Sequence, residues 1–258
     1  MFVRIRLHLC VVALAATAIA CGSEAPTGPV IGQSVSLGQA LAAINTPALS
    51  ASVGAVISGS TGTVAPAIVP TQCAFAAASQ SFVCTPRTIA GLTFNQSFAL
   101  LGATGAKQNA FDQNGTAAVR ASSSVAGTIT TGGSTFNVDG QQELTLSGLL
   151  NGKHLLDGTS TTHVSGTFTE GQTQVPFTTT ITTTLTALAV PVTTSGTQWP
   201  TSGVMVVEAT TAVGPVTPAS TKLTVTFTGN GTASVSIVGP GVSKTCTVNL
   251  TNSAPMCG

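Results

Sequence analysis

The chain has 258 residues, of which only 6% are charged, with eight Lys and Arg against seven Asp and Glu. Globular chains typically carry about 25% charged residues, so the polar surface here must consist mainly of hydroxyls, which 44 Thr and 24 Ser supply. So few cations cannot form a basic patch, which argues against nucleic acid as a partner. Val, Ile, Leu and Phe recur throughout, and this composition predicts a folded chain.

The first twenty residues have the form of an export signal. Arg4 and Arg6 precede an apolar run from Leu9 to Ala20, the order of a charged n-region and a short h-region. The run is too short for a membrane-spanning helix, which needs about 20 apolar residues. The sequence therefore predicts a signal peptide over residues 1–20. Its removal leaves six basic and seven acidic residues, a net charge of −1.

The end of this signal carries a family resemblance. Ala18-Ile19-Ala20-Cys21 resembles the lipobox of bacterial lipoproteins, although the family usually has Leu at the position of Ala18 and a small residue at that of Ile19. The resemblance covers only the N-terminal end. It implies that Cys21 receives a diacylglyceryl thioether and becomes the mature N-terminus. The alternative is an ordinary secretory signal cut after Ala20, with Cys21 as a free thiol.

The residues after Cys21 suggest how such an anchor would be used. Residues 21–33 are rich in Gly, Pro and small polar side chains, a composition that predicts a flexible tether. Gly22 and Ser23 follow the cysteine with no Asp, and the resemblance to Gram-negative lipoproteins then implies the outer membrane. Two or three acyl chains hold a protein stably, since each buried methylene contributes about 0.8 kcal/mol. We expect a lipid-anchored protein of the cell envelope, facing either the periplasm or the cell surface.

Four cysteines remain for the folded part: Cys73, Cys84, Cys246 and Cys257. They allow three pairings, of which the simplest joins Cys73 to Cys84 and Cys246 to Cys257, each across ten intervening residues. Export permits disulfides, and closing such short loops contributes about 3 kcal/mol each in the chain-entropy model. A metal site of four thiolates is disfavoured because no C-x-x-C spacing occurs.

Strand patterns dominate from about residue 72 onward. Apolar residues alternate with polar ones in successive segments, which is typical of half-buried antiparallel strands. The alternating positions include Leu92, Phe94, Phe98, Leu100, Val119, Val125, Leu144, Leu146, Val164, Phe177, Leu185, Leu223, Val225, Phe227, Val235, Cys246 and Val248. The predicted fold class is all-β: an antiparallel meander of about ten strands, forming a sandwich or a curled, partly closed sheet. One or two short N-terminal helices are expected within residues 36–57.

Glycine-containing dipeptides mark the predicted turns. The sequence Asx-Gly is typical of type I′ hairpins, which need φ > 0 at both central residues. The candidates are Asp139-Gly140, Asn151-Gly152 and Asn230-Gly231, with Gly132-Gly133, Glu170-Gly171 and Gly239-Pro240-Gly241 as further turns. Residues 191–203 carry no strand pattern. We predict a single β-rich domain over residues 34–258, with a crossover between two sheets at 191–203; a division into two subdomains there is the alternative.

His154, Asp157 and His163 lie close together in sequence, and imidazole and carboxylate are ligands that zinc prefers. Residues 154 and 163 point to opposite faces of a continuous strand, although a bulge at Asp157-Gly158 could align them. The pattern favours two solvent-facing histidines and no metal site.

A pair of catalytic carboxylates is hard to assemble from this sequence. Asp139 and Asp157 precede glycines in predicted turns, and Glu143 and Glu170 lie in or beside turns. Glu208 lies within a strand pattern and would mark a candidate functional site if it were buried, but an outward position is the simpler interpretation. No phosphate-binding loop, nucleophile elbow or zinc-protease motif occurs. The sequence predicts no enzyme and no cofactor, with a hydrolase using Glu208 or the histidines as the weaker hypothesis.

Trp199 is the only tryptophan, and the chain has no tyrosine. These residues are the usual anchors of binding interfaces, so Trp199 is a possible ligand contact, although packing against a sheet edge or the core is the favoured interpretation. We predict a non-catalytic envelope protein with a structural or interaction role, whose protein or glycan partner the sequence does not identify. The alternative is a periplasmic carrier that holds a lipid or other hydrophobic ligand in a curled sheet.

Overall fold

The computed structural model describes residues 73–131, 134–170, 173–190, 199–229, 231–250 and 254–257. The predicted signal peptide, the lipidation site Cys21, the tether and the helices within 36–57 lie outside the described residues. The described part of the chain holds no helix with the length and apolarity needed to cross a membrane.

Every regular element among the described residues is a β-strand, and all of these strands pair antiparallel in one sheet. The strands are β1 (Cys73–Ala76), β2 (Ser81–Cys84), β3 (Arg87–Ile89), β4 (Leu92–Gly102), β5 (Lys107–Gln108), β6 (Thr116–Thr131), β7 (Ser134–Ser147), β8 (His154–Glu170), β9 (Thr173–Val190), β10 (Ser202–Val213), β11 (Ala219–Phe227), β12 (Thr232–Gly239), β13 (Val242–Asn249) and β14 (Ala254–Cys257). Their order in the sheet follows the chain, except that β3 and β5 pair with β4 beside this path. The predicted antiparallel meander is confirmed. The described residues form fourteen strands rather than about ten, because segments as short as two to four residues show no recognisable alternation.

Strand β7 shows how the alternating pattern produces the fold. Its even-numbered residues from Phe136 to Leu146 are buried, and its odd-numbered residues from Thr135 to Glu143 are exposed, as the two-residue period of a strand requires. The register extends this division to neighbouring strands, since Val138 lies opposite Gly127 of β6 and Val164 of β8. We call the side of the sheet that carries the buried residues of β7 and their register partners the inner face, and the opposite side the outer face.

The described inner-face residues form three apolar clusters. The largest spans β7 to β13, a second contains the rings of Phe136 and Phe177 at a centroid distance of 5.6 Å, and a third contains the stacked rings of Phe82 and Phe98 at 4.9 Å. The described strands belong to one hydrogen-bonded sheet with one buried face and do not divide into two separate sheets. Among the described strands, β1 and β14 end the order without pairing to each other, so the sheet stays open.

Turns lie at two of the predicted positions, but the one at Asn151-Gly152 is not the predicted type I′ turn, because Asn151 does not have a positive φ. Gly152, in the β7–β8 turn, has φ 68°, and Gly241, in the β12–β13 turn, has φ 69°. The Asn151 side-chain carbonyl strengthens the first turn by accepting a hydrogen bond from the Lys153 N–H at 3.0 Å. The predicted turn residues Gly132, Gly133, Gly171 and Asn230 lie outside the described residues.

The turn predicted at Asp139-Gly140 is wrong, because both residues lie inside β7. Gly140 stands on the inner face, where a Cβ atom would lie 2.9 Å from Val125 Cγ1 and 3.2 Å from Thr162 Oγ1. Glycine here leaves room for side chains of the neighbouring strands and does not reverse the chain.

The crossover predicted at residues 191–203 is also wrong. The flanking strands β9 and β10 are direct neighbours, with Val207 opposite Thr183, and the Thr201 N–H donates to the Ala189 carbonyl at 2.9 Å. The connection therefore joins adjacent strands of one sheet, and its residues 191–198 lie outside the described part of the chain.

The predicted disulfide between Cys73 and Cys84 is confirmed. It joins β1 to β2 at positions that lie directly opposite in the register. Cys246 is also disulfide-bonded, and the β13–β14 register places it opposite Cys257, the partner predicted for it.

Candidate functional site

An open groove with a volume of about 920 Å³ crosses the outer face of the sheet. The outward-facing strand residues that line it are Ser81 and Val83 of β2, Asn95 and Ser97 of β4, Ser122 and Ser124 of β6, Asp139, Gln141 and Glu143 of β7, and Thr159, Thr161 and His163 of β8. We call this surface the polar groove.

The strand register assembles the groove in rows. One row runs Asn95, Ser124, Gln141 and Thr161 across four neighbouring strands, and the Asn95 amide donates to the Ser124 hydroxyl at 3.3 Å. The parallel row contains Ser122 opposite Glu143. Serine is shorter than Gln and Glu, and the β6 serines are half-buried where Gln141 and Glu143 of β7 are exposed, so the floor of the groove is lowest over β6.

The β1–β2 hairpin forms the rim at one end of the groove, where Ser79, Ser81 and Val83 line it. The Cys73–Cys84 disulfide closes this hairpin, the hydroxyls of Ser79 and Ser81 lie 2.6 Å apart, and the Lys107 ammonium donates to the Ser79 carbonyl at 2.8 Å. The rim is therefore held by a covalent bond and by a charge-assisted hydrogen bond, which is stronger than a neutral one.

The titratable groups in the groove do not form a catalytic pair. Asp139 lies opposite His163 in the register, but the imidazole turns toward β9, with its Nδ1 atom 3.0 Å from Thr180 Oγ1. Asp139 and Glu143 stand four residues apart along β7, about 14 Å at the rise of a strand. Glycosidase carboxyls lie about 5–9.5 Å apart, so this spacing does not match either hydrolytic geometry.

The structure separates the three residues of the predicted histidine cluster. His154 is buried on the inner face with 7% of its surface exposed, and burial lowers the pKa of its imidazole below the ordinary value. His163 is exposed on the outer face, so the prediction of two solvent-facing histidines is right for His163 and wrong for His154. Asp157 accepts a hydrogen bond from the Ala187 N–H at 2.7 Å.

The bulge near Asp157 lies on β9 rather than on β8, the strand that carries both histidines. The register shift between Leu156 and Gly158 inserts its extra residue into β9, so the alternation of β8 continues unbroken from His154 to His163. In the described part of the chain, no group of three or more His, Cys, Asp or Glu side chains is placed to hold a metal ion.

The candidate site residues Glu208 and Trp199 both contact other parts of the sheet. The Glu208 carboxylate pairs with the Lys222 ammonium at 2.7 Å, with 53% of each side chain exposed, so the outward interpretation is confirmed. Trp199 is half-buried and packs against the largest apolar cluster, and it is not among the residues that line the polar groove. Its indole N–H is buried and has no partner among the described residues. A ligand contact through Trp199 stays a prediction.

Sequence reasoning missed most of the polar groove. The available signal was the set of outward polar positions on successive strands, such as Asn95, Ser122 and Gln141. That signal does not reveal which positions share a row, because the register depends on the pairing partner.

Comparisons with protein-family models, with curated proteins and with solved structures find no match to the chain.

Proposed function

We propose that this chain is a non-catalytic, lipid-anchored protein of the cell envelope, attached to the outer membrane through Cys21, that binds a partner in the polar groove. The polar groove is the observation that carries the interaction role. Its volume of about 920 Å³ lies within the range of about 300–1,000 Å³ typical of ligand sites. The lipobox-like sequence before Cys21 supports the anchor.

The surroundings of the candidate catalytic groups support the non-catalytic part of the proposal. Asp157 is engaged by the backbone of β9, and Glu208 is engaged by Lys222. His163 contacts the Thr180 hydroxyl, but an activated nucleophile also needs a third group that orients the base. The non-catalytic part of the proposal would be contradicted if the chain showed a hydrolytic activity and if His163→Ala or Glu208→Ala abolished it.

The anchor is tested by comparing the full-length chain with a Cys21→Ala variant. We expect the wild type to partition into detergent and to carry the mass of the acyl groups on Cys21, whereas the variant loses both properties. Wild-type protein that is soluble after cell lysis and has an unmodified Cys21 would contradict the anchor.

The orientation of the groove is tested by protease shaving of intact cells, with an antibody to the C-terminal strands and a lysed-cell control. Loss of the strands from intact cells would assign the groove to the cell surface. Survival until lysis would assign it to the periplasm.

A carrier for a lipid or other hydrophobic ligand is the second candidate. The apolar inner face, which is continuous from β7 to β13, favours it. Native mass spectrometry of the purified chain should then detect a co-purified lipid, and its absence, together with a lack of binding of apolar dyes, would contradict the carrier.

A further inference from the structure

We propose that the polar groove binds a neutral, hydroxyl-rich glycan that lies across the strands. This inference rests on the proposed interaction role of the groove and deepens it by naming the ligand class.

The charges that line the groove disfavour an anionic polymer. The described residues that line it include two carboxylates, Asp139 and Glu143, and no Lys or Arg. Lys107, close to the rim, directs its ammonium to the Ser79 carbonyl. A cleft lined by one sign of charge repels ligands of the same sign, so phosphate, sulfate or uronate chains would bind poorly.

The hydrogen-bonding groups of the groove match those of a polyol. Each Ser and Thr hydroxyl both donates and accepts, and each Asn or Gln amide offers two donors and an acceptor. Sugar hydroxyls have the same dual character. The row of Asn95, Ser124, Gln141 and Thr161 therefore offers donors and acceptors at every strand step. An apolar ligand would desolvate these groups without pairing them, at a cost of about 1–3 kcal/mol for each group.

The dimensions favour an extended ligand. The groove crosses five successive strands of the sheet, β2, β4, β6, β7 and β8, a distance of about 19 Å at the usual strand spacing. Its described lining contains no Phe or Trp on which a sugar ring could stack. Since hydrogen bonds to exposed groups contribute only about 1 kcal/mol each, we expect dissociation constants in the millimolar to high-micromolar range.

The test uses the full chain purified from membranes in detergent, applied to an array of neutral, anionic and cationic oligosaccharides, with affinities of bound members measured by calorimetry. Ser122→Phe fills the floor of the groove. Its matched control is Ser236→Phe, because Ser236 is also a half-buried outer-face serine, on β12 and away from the groove. The double variant Gln141→Ala, Thr161→Ala removes hydrogen-bonding groups without adding bulk, and circular dichroism checks the folding of all three variants.

We expect neutral members to bind, Ser122→Phe and the double variant to lose affinity by about tenfold or more, and Ser236→Phe to stay within about twofold. The glycan proposal would be overturned if no oligosaccharide bound or if only anionic members bound. Equal affinities for Ser122→Phe and Ser236→Phe would also overturn it. Binding of cationic members alone would also overturn it.

A second measurement distinguishes a failure of the glycan proposal from a failure of the proposed interaction role. A photo-crosslinking residue at position 122 in living cells should form an adduct that the same residue at position 236 does not form. If the array is negative and the adduct forms, the glycan class is overturned while the groove keeps a partner. If no oligosaccharide binds and no adduct forms, both the glycan proposal and the proposed interaction role fail.

Discussion

Asp157 lies where β9 has one residue more than β8. Leu156 pairs with Leu188 and Gly158 with Leu185, so two residues of β9 face Asp157 alone, which is the definition of a β-bulge. One of the two, Ala187, has φ 48°, a left-handed conformation that costs a non-glycine residue about 1–2 kcal/mol. The Asp157 carboxylate accepts the Ala187 N–H and so stabilises a conformation that the chain would otherwise avoid.

This role predicts the effect of removing the carboxylate. We expect Asp157→Ala to lower the free energy of unfolding by about 1 kcal/mol, the contribution of one hydrogen bond, and Asp157→Asn to lose less because the amide keeps an acceptor. Urea denaturation measures both. Asp139→Ala is the control, since Asp139 is an exposed strand aspartate on β7. A loss for Asp139→Ala as large as that for Asp157→Ala would contradict the assignment.

We expect His154 to make the stability of the fold depend on pH. Because burial lowers the pKa of the folded imidazole, the unfolded chain, with a histidine pKa of about 6.5, binds its proton at a higher pH than the folded chain. As pH falls below about 6.5, protonation therefore stabilises the unfolded state, and stability decreases until the pH reaches the folded-state pKa. We expect the urea midpoint of the wild type to fall between about pH 7 and pH 5.

The matched variants for this effect are His154→Gln and His163→Gln. His154→Gln should flatten the dependence of the midpoint on pH, while His163→Gln, at an exposed position of the same strand, should retain it. A slope that persists in His154→Gln would show that another group is responsible.

At the scale of single elements, β7 illustrates why local turn signals are incomplete. Asp-Gly is a strong hairpin dipeptide, yet the strand continues through Asp139-Gly140 because apolar residues on both sides keep the same parity, from Phe136 and Val138 to Leu144 and Leu146. Burial of this apolar row outweighs the preference of two residues for a turn. Gly140 instead leaves room for the Val125 and Thr162 side chains.

The space at Gly140 predicts a position-specific response to alanine. Gly140→Ala places a Cβ atom 2.9 Å from Val125 Cγ1, and we expect a destabilisation of about 1–2 kcal/mol from overpacking. Gly102→Ala is the control, because the nearest atom to its Cβ would be 3.6 Å away. There the loss of unfolded-state entropy should leave stability equal or slightly higher. Thermal unfolding of both variants measures this difference in stability. An equal change in stability in the two variants would contradict the prediction.

At the scale of the whole molecule, the described sheet has one face that buries three apolar clusters and one hydroxyl-rich face. The largest cluster connects residues from β7 to β13, so distant strands share one core. The outer face holds the polar groove, whose rows cross the same strands that bury their other side chains in the core. The proposed binding would therefore use side chains held on paired strands, which lowers the entropic cost of ordering a site.

Leu146→Ala tests the shared core. Leu146 is 1% exposed, and truncation of a buried leucine costs about 2–5 kcal/mol. We expect this loss in urea denaturation, together with faster amide hydrogen exchange in β11 to β13 as well as in β7. Leu150→Ala, at a turn position that is 44% exposed, should change stability by less than about 0.5 kcal/mol. Faster exchange confined to β7 would contradict a common core.

The sequence by itself determined the fold class and the inward positions of most strands, and it made the Cys73–Cys84 disulfide part of the simplest of three pairings. These properties are local, because a period of two reports which side chains share a face and a ten-residue spacing suffices for a hairpin closed by a disulfide. The outward position of Glu208 follows from the same alternation.

Only the tertiary structure decided the roles of Asp157, His154 and Gly140 and the existence of the polar groove. Each depends on the residues that lie opposite in a neighbouring strand, and a one-residue change of register would exchange the two faces. The groove further requires that short serines on β6 lie between longer side chains on β7 and the β1–β2 rim. Such an arrangement arises from strand pairing across the whole sheet, which no local pattern encodes.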